Sequence, residues 1–174
     1  MNLYDLQKTA DIVHSHKTLL VADSTFSTPF ITRPLEHGVD IIMHSTTKYI
    51  GGHSDTLGGA VVTQDTDIHE ELMLYKRQGG AIMSPFDSYL VQRGLYTLGP
   101  RIKLHSENAH KLAEYLDSSE YIKEVRYPGL ENYLNHEIAV KQMDYFGGML
   151  SFYLEENVDQ EKFWKSLDLY KLAV

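Results

Sequence analysis

The chain has 174 residues, a formal net charge of −8 and no cysteine. Its composition is that of a globular protein, and its acidity disfavours nucleic acid as a partner because phosphate backbones repel it. The lack of cysteine excludes disulfides, thiolate metal sites and cysteine nucleophiles, and it fits a reducing compartment. Because no stretch approaches the roughly 20 apolar residues of a membrane span, we expect a cytoplasmic protein without a membrane partner.

The first hundred residues predict alternating helices and short strands. Apolar side chains at helical spacing predict a helix over residues 3–15, and residues 67–77 also resemble a helix. Short apolar runs predict strands at 19–22, 39–43 and 60–63. Such alternation is typical of an α/β fold with a mostly parallel sheet, whose ligand crevice lies beyond the carboxyl ends of the strands.

The remaining chain predicts a smaller α+β unit. A helix is expected over residues 86–98, interrupted or kinked at Gly99-Pro100 and resuming as far as Leu116. The segments that follow predict a strand at 121–127, a helix at 136–143 and a strand at 148–154. We therefore divide the chain into a large partial domain, residues 1–99, and a small partial domain, residues 100–174.

Chemistry-bearing residues collect where two predicted strands end. Asp23 ends the first strand, and Ser45, Thr47 and Lys48 follow the second, with glycines next. An amine, a carboxylate and hydroxyls that hold a phosphate are what pyridoxal phosphate (PLP) requires. The residue types alone leave an alternative open, in which Lys48 is an ordinary solvated lysine and Asp23 a helix cap.

Longer motifs decide between these interpretations. The segment VADSTFSTPF and the stretch STTKYIGGHSD are followed in order by SPFDSYLVQRGLYTLGPR, VRYPGL, HEIAVKQM and FGGMLSF. Together they resemble the Cys/Met-metabolism family of PLP enzymes, which includes cystathionine γ-synthase, γ-lyase and β-lyase. The resemblance covers essentially the whole chain and implies a fold-type I PLP-dependent transferase-like α/β fold with an incomplete sheet.

The resemblance also implies a role for each site residue. Lys48 would be the catalytic Schiff-base lysine, and Asp23 would pair with the pyridinium nitrogen. Ser45 and Thr47 would hold the phosphate, and Thr25 would lie against the ring. The implied reaction is trans-sulfuration or C–S cleavage of sulfur amino acids, such as cystathionine or activated homoserine.

The match to the family is partial at both ends. The family's upstream phosphate loop, ring-stacking tyrosine and subunit-crossing Tyr-Arg pair have no counterpart, and its downstream continuation would start near 171–174. We therefore expect a chain truncated at both ends, with a catalytically dead fragment as the alternative function. Family members form homotetramers, and we expect weakened assembly here. No metal site is expected, since His44, His53 and Asp55 are given structural roles by the resemblance.

Overall fold

A computed structural model describes residues 2–170, and in this range seven α-helices alternate with five strands. The helices are α1 (Leu6–Ser15), α2 (Thr28–Ile31), α3 (Thr66–Gly79), α4 (Pro85–Leu95), α5 (Leu98–Asp117), α6 (His136–Gln142) and α7 (Gln160–Lys165). The strands are β1 (Val21–Asp23), β2 (Ile41–Ser45), β3 (Gly59–Thr63), β4 (Ile122–Arg126) and β5 (Ser151–Leu154).

The larger sheet has the order β1-β2-β3 and carries the site at one edge. Strand β1 runs parallel to β2, with Asp23 opposite Met43, and β3 runs antiparallel to β2. Because the carboxyl ends of parallel strands meet at the same edge, Asp23 and Ser45 lie at the same end of the sheet. The α/β class is confirmed, and β3 is the antiparallel member of a sheet that we expected to be mostly parallel.

The two faces of this sheet differ in how well they are covered. Ile42 and His44, on one face, are buried. On the other face Val21, Met43 and Val61, one from each strand, remain 57%, 45% and 51% exposed. Side chains of this kind are normally buried in α/β sheets, so the second face is an uncovered apolar surface.

Helix α5 connects the two hydrophobic clusters of the described chain. Its first turns place Leu98 and Ile102 against Ile31 and Ile50, next to the larger sheet. Its later turns pack against the second, antiparallel sheet formed by β4 and β5. The residues of this second cluster are Ala109, Ala113, Val125, Tyr127 and Leu130. One helix therefore supports both parts of the fold.

The structure corrects one detail of the sequence interpretation and adds one element. The predicted interruption of the long helix is present, because α4 ends at Leu95 and α5 begins at Leu98, but it precedes Gly99-Pro100. Gly99-Pro100 lies in the first turn of α5, where an unpaired N–H is normal and proline costs little. Helix α7 was not predicted. The division at residue 99 stays a prediction, and residues 171–174 lie outside the described range. No helix within residues 2–170 is long and apolar enough to cross a bilayer.

Candidate active site

Lys48 lies in a single wide turn, Thr46–Ile50, that follows β2 directly, and its own backbone angles of φ −89° and ψ −123° depart from helical geometry. Two backbone bonds close this turn, because Gly51 N donates to Thr46 O and Gly52 N donates to Lys48 O, both at 2.8 Å. The exposed Lys48 side chain lines a cleft of about 920 Å³, together with Thr47 and Tyr49 from the same turn. The lysine thus stands on a closed turn with its amine accessible to a ligand.

The Thr47 hydroxyl accepts one good hydrogen bond and donates only a weak one. Its oxygen accepts from Gly58 N at 3.0 Å, whereas its own contact to Gly58 O is 3.4 Å long. A hydroxyl both donates and accepts, and the long contact is a weak hydrogen bond. The Thr47 proton can therefore be redirected to an anionic oxygen in the cleft while the bond from Gly58 N keeps the side chain in place.

Asp23 is held as a carboxylate by Thr25. The Thr25 N–H donates to Asp23 Oδ1 at 2.9 Å, and Ser45 N donates to Thr25 Oγ1 at 2.7 Å. Hydrogen bonding from the Thr25 hydroxyl, and then from its N–H, lowers the pKa of Asp23 below 3.8. The carboxylate at the end of β1 is consequently anionic at neutral pH.

The sequence-predicted residues form two groups. Thr47 and Lys48 line the 920 Å³ cleft, whereas Asp23 lines a neighbouring cavity of about 280 Å³. Phe26 and Met149 border both. Thr25 is buried and contacts Asp23 and the Ser45 backbone. The roles assigned to these five residues stay predictions, since the geometry places them at one sheet edge without a ligand.

Sequence reasoning did not select Arg101, which lines the same cleft. Its guanidinium donates to Tyr49 O at 2.7 Å, across 52 residues of sequence. Arginines are frequent on helices such as α5, so no local pattern marked this one. The aromatic ring of Tyr49 also meets His105 of α5 edge-on, with ring centroids 5.4 Å apart.

Three further residues near Lys48 in the sequence, His44, His53 and Asp55, lie in different surroundings. His44 is buried on the face of β2 opposite to Met43, and burial lowers the pKa of its imidazole below 6.5. His53 Nδ1 lies 2.7 Å from Gly51 O. Asp55 lines the Lys48 cleft. Residues 2–170 contain no group of three or more His, Asp or Glu side chains placed to hold a metal ion.

Comparison with known proteins identifies the family. The family model described as "Cys/Met metabolism PLP-dependent enzyme" matches residues 1–174. The chain belongs to this family. It is 43% identical over 173 residues to a cystathionine beta-lyase of Lactococcus lactis subsp. cremoris, covering 99% of this chain and 46% of the relative. It is 44% identical over 151 residues to a cystathionine gamma-synthase of Mycobacterium bovis, covering 87% and 39%.

Solved structures of PLP-dependent family members agree with this fold. A cystathionine gamma-lyase from Lactobacillus plantarum, solved with L-serine, superimposes with a TM-score of 0.95 at 36% identity. That match covers 99% of this chain and 45% of the other. The expected fold-type I architecture is confirmed. The chain spans under half the length of the curated relatives that it matches first, since it covers 46% of each of three of them.

The residues present fit PLP. Lys48 offers an accessible amine, and Thr47 offers a hydroxyl donor beside it. The anionic carboxylate of Asp23 has the charge needed to keep a pyridine nitrogen protonated. An amine, a phosphate donor and an ionised acid are thus gathered at the end of two neighbouring strands.

Proposed function

We propose that this chain carries the cofactor-attachment site of a PLP-dependent trans-sulfuration or C–S lyase-type enzyme that acts on sulfur amino acids, such as cystathionine or activated homoserine. The observation that carries the proposal is the closed turn that presents Lys48 in a cleft, with an ionised Asp23 in the neighbouring cavity at the same sheet edge. Relatives named cystathionine beta-lyase, gamma-lyase and gamma-synthase support the substrate class.

Each residue has a stated task in this proposal. Bound PLP supplies an electron sink that stabilises a carbanion at the substrate. Lys48 would hold the cofactor through its amine and would move a proton at the substrate carbon. Asp23 keeps a proton on the pyridine nitrogen, the hydroxyls of Thr47 and Ser45 donate to phosphate, and Thr25 keeps Asp23 ionised.

Two observations favour a second candidate, a catalytically inactive fragment of such an enzyme. The chain spans 46% of the beta-lyase that it matches. The sheet face that carries Val21, Met43 and Val61 is uncovered. A missing charge-assisted contact costs a ligand about 1.5–3 kcal/mol, so a site built from part of the fold binds more weakly.

Thiol release separates the two candidates. The purified chain is given PLP and cystathionine, and free thiol is measured with a colorimetric reagent. The chain has no cysteine, so all colour comes from the substrate. We expect thiol release from the wild type and from Lys103→Ala, which removes an exposed lysine of α5, and none from Lys48→Ala. In a companion assay the chain is given PLP, activated homoserine and cysteine, and loss of the cysteine thiol is measured. Wild-type rates equal to Lys48→Ala in both assays would refute the catalytic proposal.

Location and assembly complete the proposal. A cytoplasmic location is supported by the absence of cysteine, which suits a reducing compartment. We further propose that this chain assembles more weakly than the homotetramers expected of the family, because it spans 46% of the beta-lyase that it matches and has no counterpart of the subunit-crossing Tyr-Arg pair. Size-exclusion chromatography with light scattering should give species smaller than a tetramer, and a single stable tetramer would contradict this.

A further inference from the structure

The guanidinium of Arg101 joins three parts of the chain around the Lys48 turn. Its Nη1 donates to Tyr49 O at 2.7 Å, and its Nη2 donates to Gly94 O at 2.8 Å, with a longer contact to Ile50 O at 3.4 Å. Its Nε donates to Thr97 Oγ1 at 3.0 Å. One side chain of α5 thereby binds the turn, the end of α4 and the start of its own helix.

The charge of Arg101 has no carboxylate partner within residues 2–170. The side chain is partly buried, and this burial lowers the pKa of the guanidinium. A desolvated charge is costly unless its donors are satisfied, and here neutral carbonyls satisfy them. The arrangement uses the planar fork of arginine rather than an ion pair.

Two glycines allow the close approach that this arrangement needs. Gly52 has φ +73°, and a Cβ at this position would lie 2.6 Å from Arg101 Cζ. A Cβ on Gly94 would lie 2.5 Å from Ile50 O and also collide with Gly51 O. Backbone at both places therefore packs directly against the turn or its arginine, with no room for a side chain.

We propose that Arg101 is a positioning residue for Lys48. By holding the carbonyls of Tyr49 and Ile50, it fixes the turn and thus the direction in which the Lys48 amine enters the cleft. It acts through the backbone, because its N–H groups are bound to carbonyl oxygens and the Thr97 hydroxyl. This inference rests on the proposed function of Lys48, and it predicts that geometry matters more than charge, so that lysine does not replace Arg101.

Amide hydrogen exchange tests the first half of the proposal without cofactor. The reporters are the N–H groups of Gly51 and Gly52, which close the turn onto Thr46 O and Lys48 O. We expect Arg101→Ala to lower their protection at least tenfold. The matched control is Arg93→Ala, which removes an exposed arginine of α4 and should leave protection unchanged. Unchanged protection in Arg101→Ala would overturn the proposal.

Lysine labelling tests the second half. Each variant is incubated with PLP, reduced with borohydride and mapped by mass spectrometry for the share of label on Lys48. We expect at least a tenfold lower share in Arg101→Ala and Arg101→Lys, with partial recovery of Arg101→Ala when millimolar guanidinium is added. Full labelling of Lys48 in Arg101→Lys would show that charge alone suffices and would overturn the geometric role.

Two further outcomes, a variant that does not fold and a wild type that is not labelled selectively, also bear on the proposal. Should Arg101→Ala fail to fold by circular dichroism, Arg101→Lys carries the exchange test, because it keeps the charge and lacks the planar fork that binds Tyr49 O and Gly94 O together. It should also lower protection at Gly51, and normal protection would count against the proposal. A wild type that labels no lysine selectively refutes the proposed function instead, and the exchange data still decide whether Arg101 holds the turn.

Discussion

The phenol of Tyr127 gives the sharpest prediction about stability. Tyr127 is fully buried, and its hydroxyl lies 2.9 Å from Gly147 O and 3.1 Å from Ser106 O. Tyr127→Phe leaves these buried acceptors without this donor, which costs about 1–2 kcal/mol at pH 7. Burial, with a smaller contribution from Tyr49, raises the pKa of Tyr127 to about 12 from 10.0.

The raised pKa makes the effect of this substitution depend on pH. The group stabilises the fold below pH 10, and that stabilisation is lost as the pH rises toward 12, because only the unfolded state releases the proton easily. Two pKa units correspond to about 2.7 kcal/mol, of which about 1.4 kcal/mol is lost by pH 11. The destabilisation caused by Tyr127→Phe should therefore shrink to near zero at pH 11.

Urea unfolding at pH 7 and pH 11 measures this difference. Subtracting the free energy of unfolding of the variant from that of the wild type cancels the titrating groups that do not interact with Tyr127. The control is Tyr115→Phe, an exposed tyrosine of α5, which should change the free energy of unfolding by less than about 0.5 kcal/mol at either pH. An equal destabilisation by Tyr127→Phe at both values would refute the reasoning.

Two further predictions concern acid. Thr25→Val removes the hydroxyl that lowers the pKa of Asp23, so that pKa should rise toward 3.8, and NMR titration of the carboxyl carbon should detect it. The lowered pKa of Asp23 stabilises the fold above pH 3.8, and this stabilisation is lost as the pH falls below that value, so the variant should lose less stability in acid than the wild type. An unchanged pKa of Asp23 in the variant would contradict this. Burial lowers the pKa of the His44 imidazole below 6.5, and His44→Leu removes this group. The free energy of unfolding in urea should therefore fall less steeply from pH 7 to pH 5 in the variant than in the wild type. An equal slope would show that His44 does not titrate differently on unfolding.

Much of the fold could be predicted because its local patterns are strong. The short apolar runs ending at Asp23 and Ser45 are strands β1 and β2, and helical spacing located α1 and α3. The break between α4 and α5 was predicted but placed too far along the chain, at Gly99-Pro100, because a proline stops a helix in its interior but is tolerated in its first turn. Sequence spacing alone does not distinguish these two positions.

The contacts around the site could not be predicted in the same way. Arg101 reaches Tyr49 across 52 residues, and a backbone carbonyl leaves no mark in the sequence. The glycines that follow Lys48 did not indicate that Gly52 would face a guanidinium. Local patterns identify residues with chemical potential, whereas their partners depend on how distant elements pack.

Mapping the lysine that PLP modifies tests the central claim most directly. The chain is incubated with PLP at low concentration, reduced with borohydride and digested, and the modified peptides are identified by mass spectrometry. The account predicts label concentrated on Lys48, and its disappearance in Lys48→Ala without a rise at other lysines. Label spread evenly over surface lysines, unchanged in Lys48→Ala, would contradict the claim that this turn holds the cofactor.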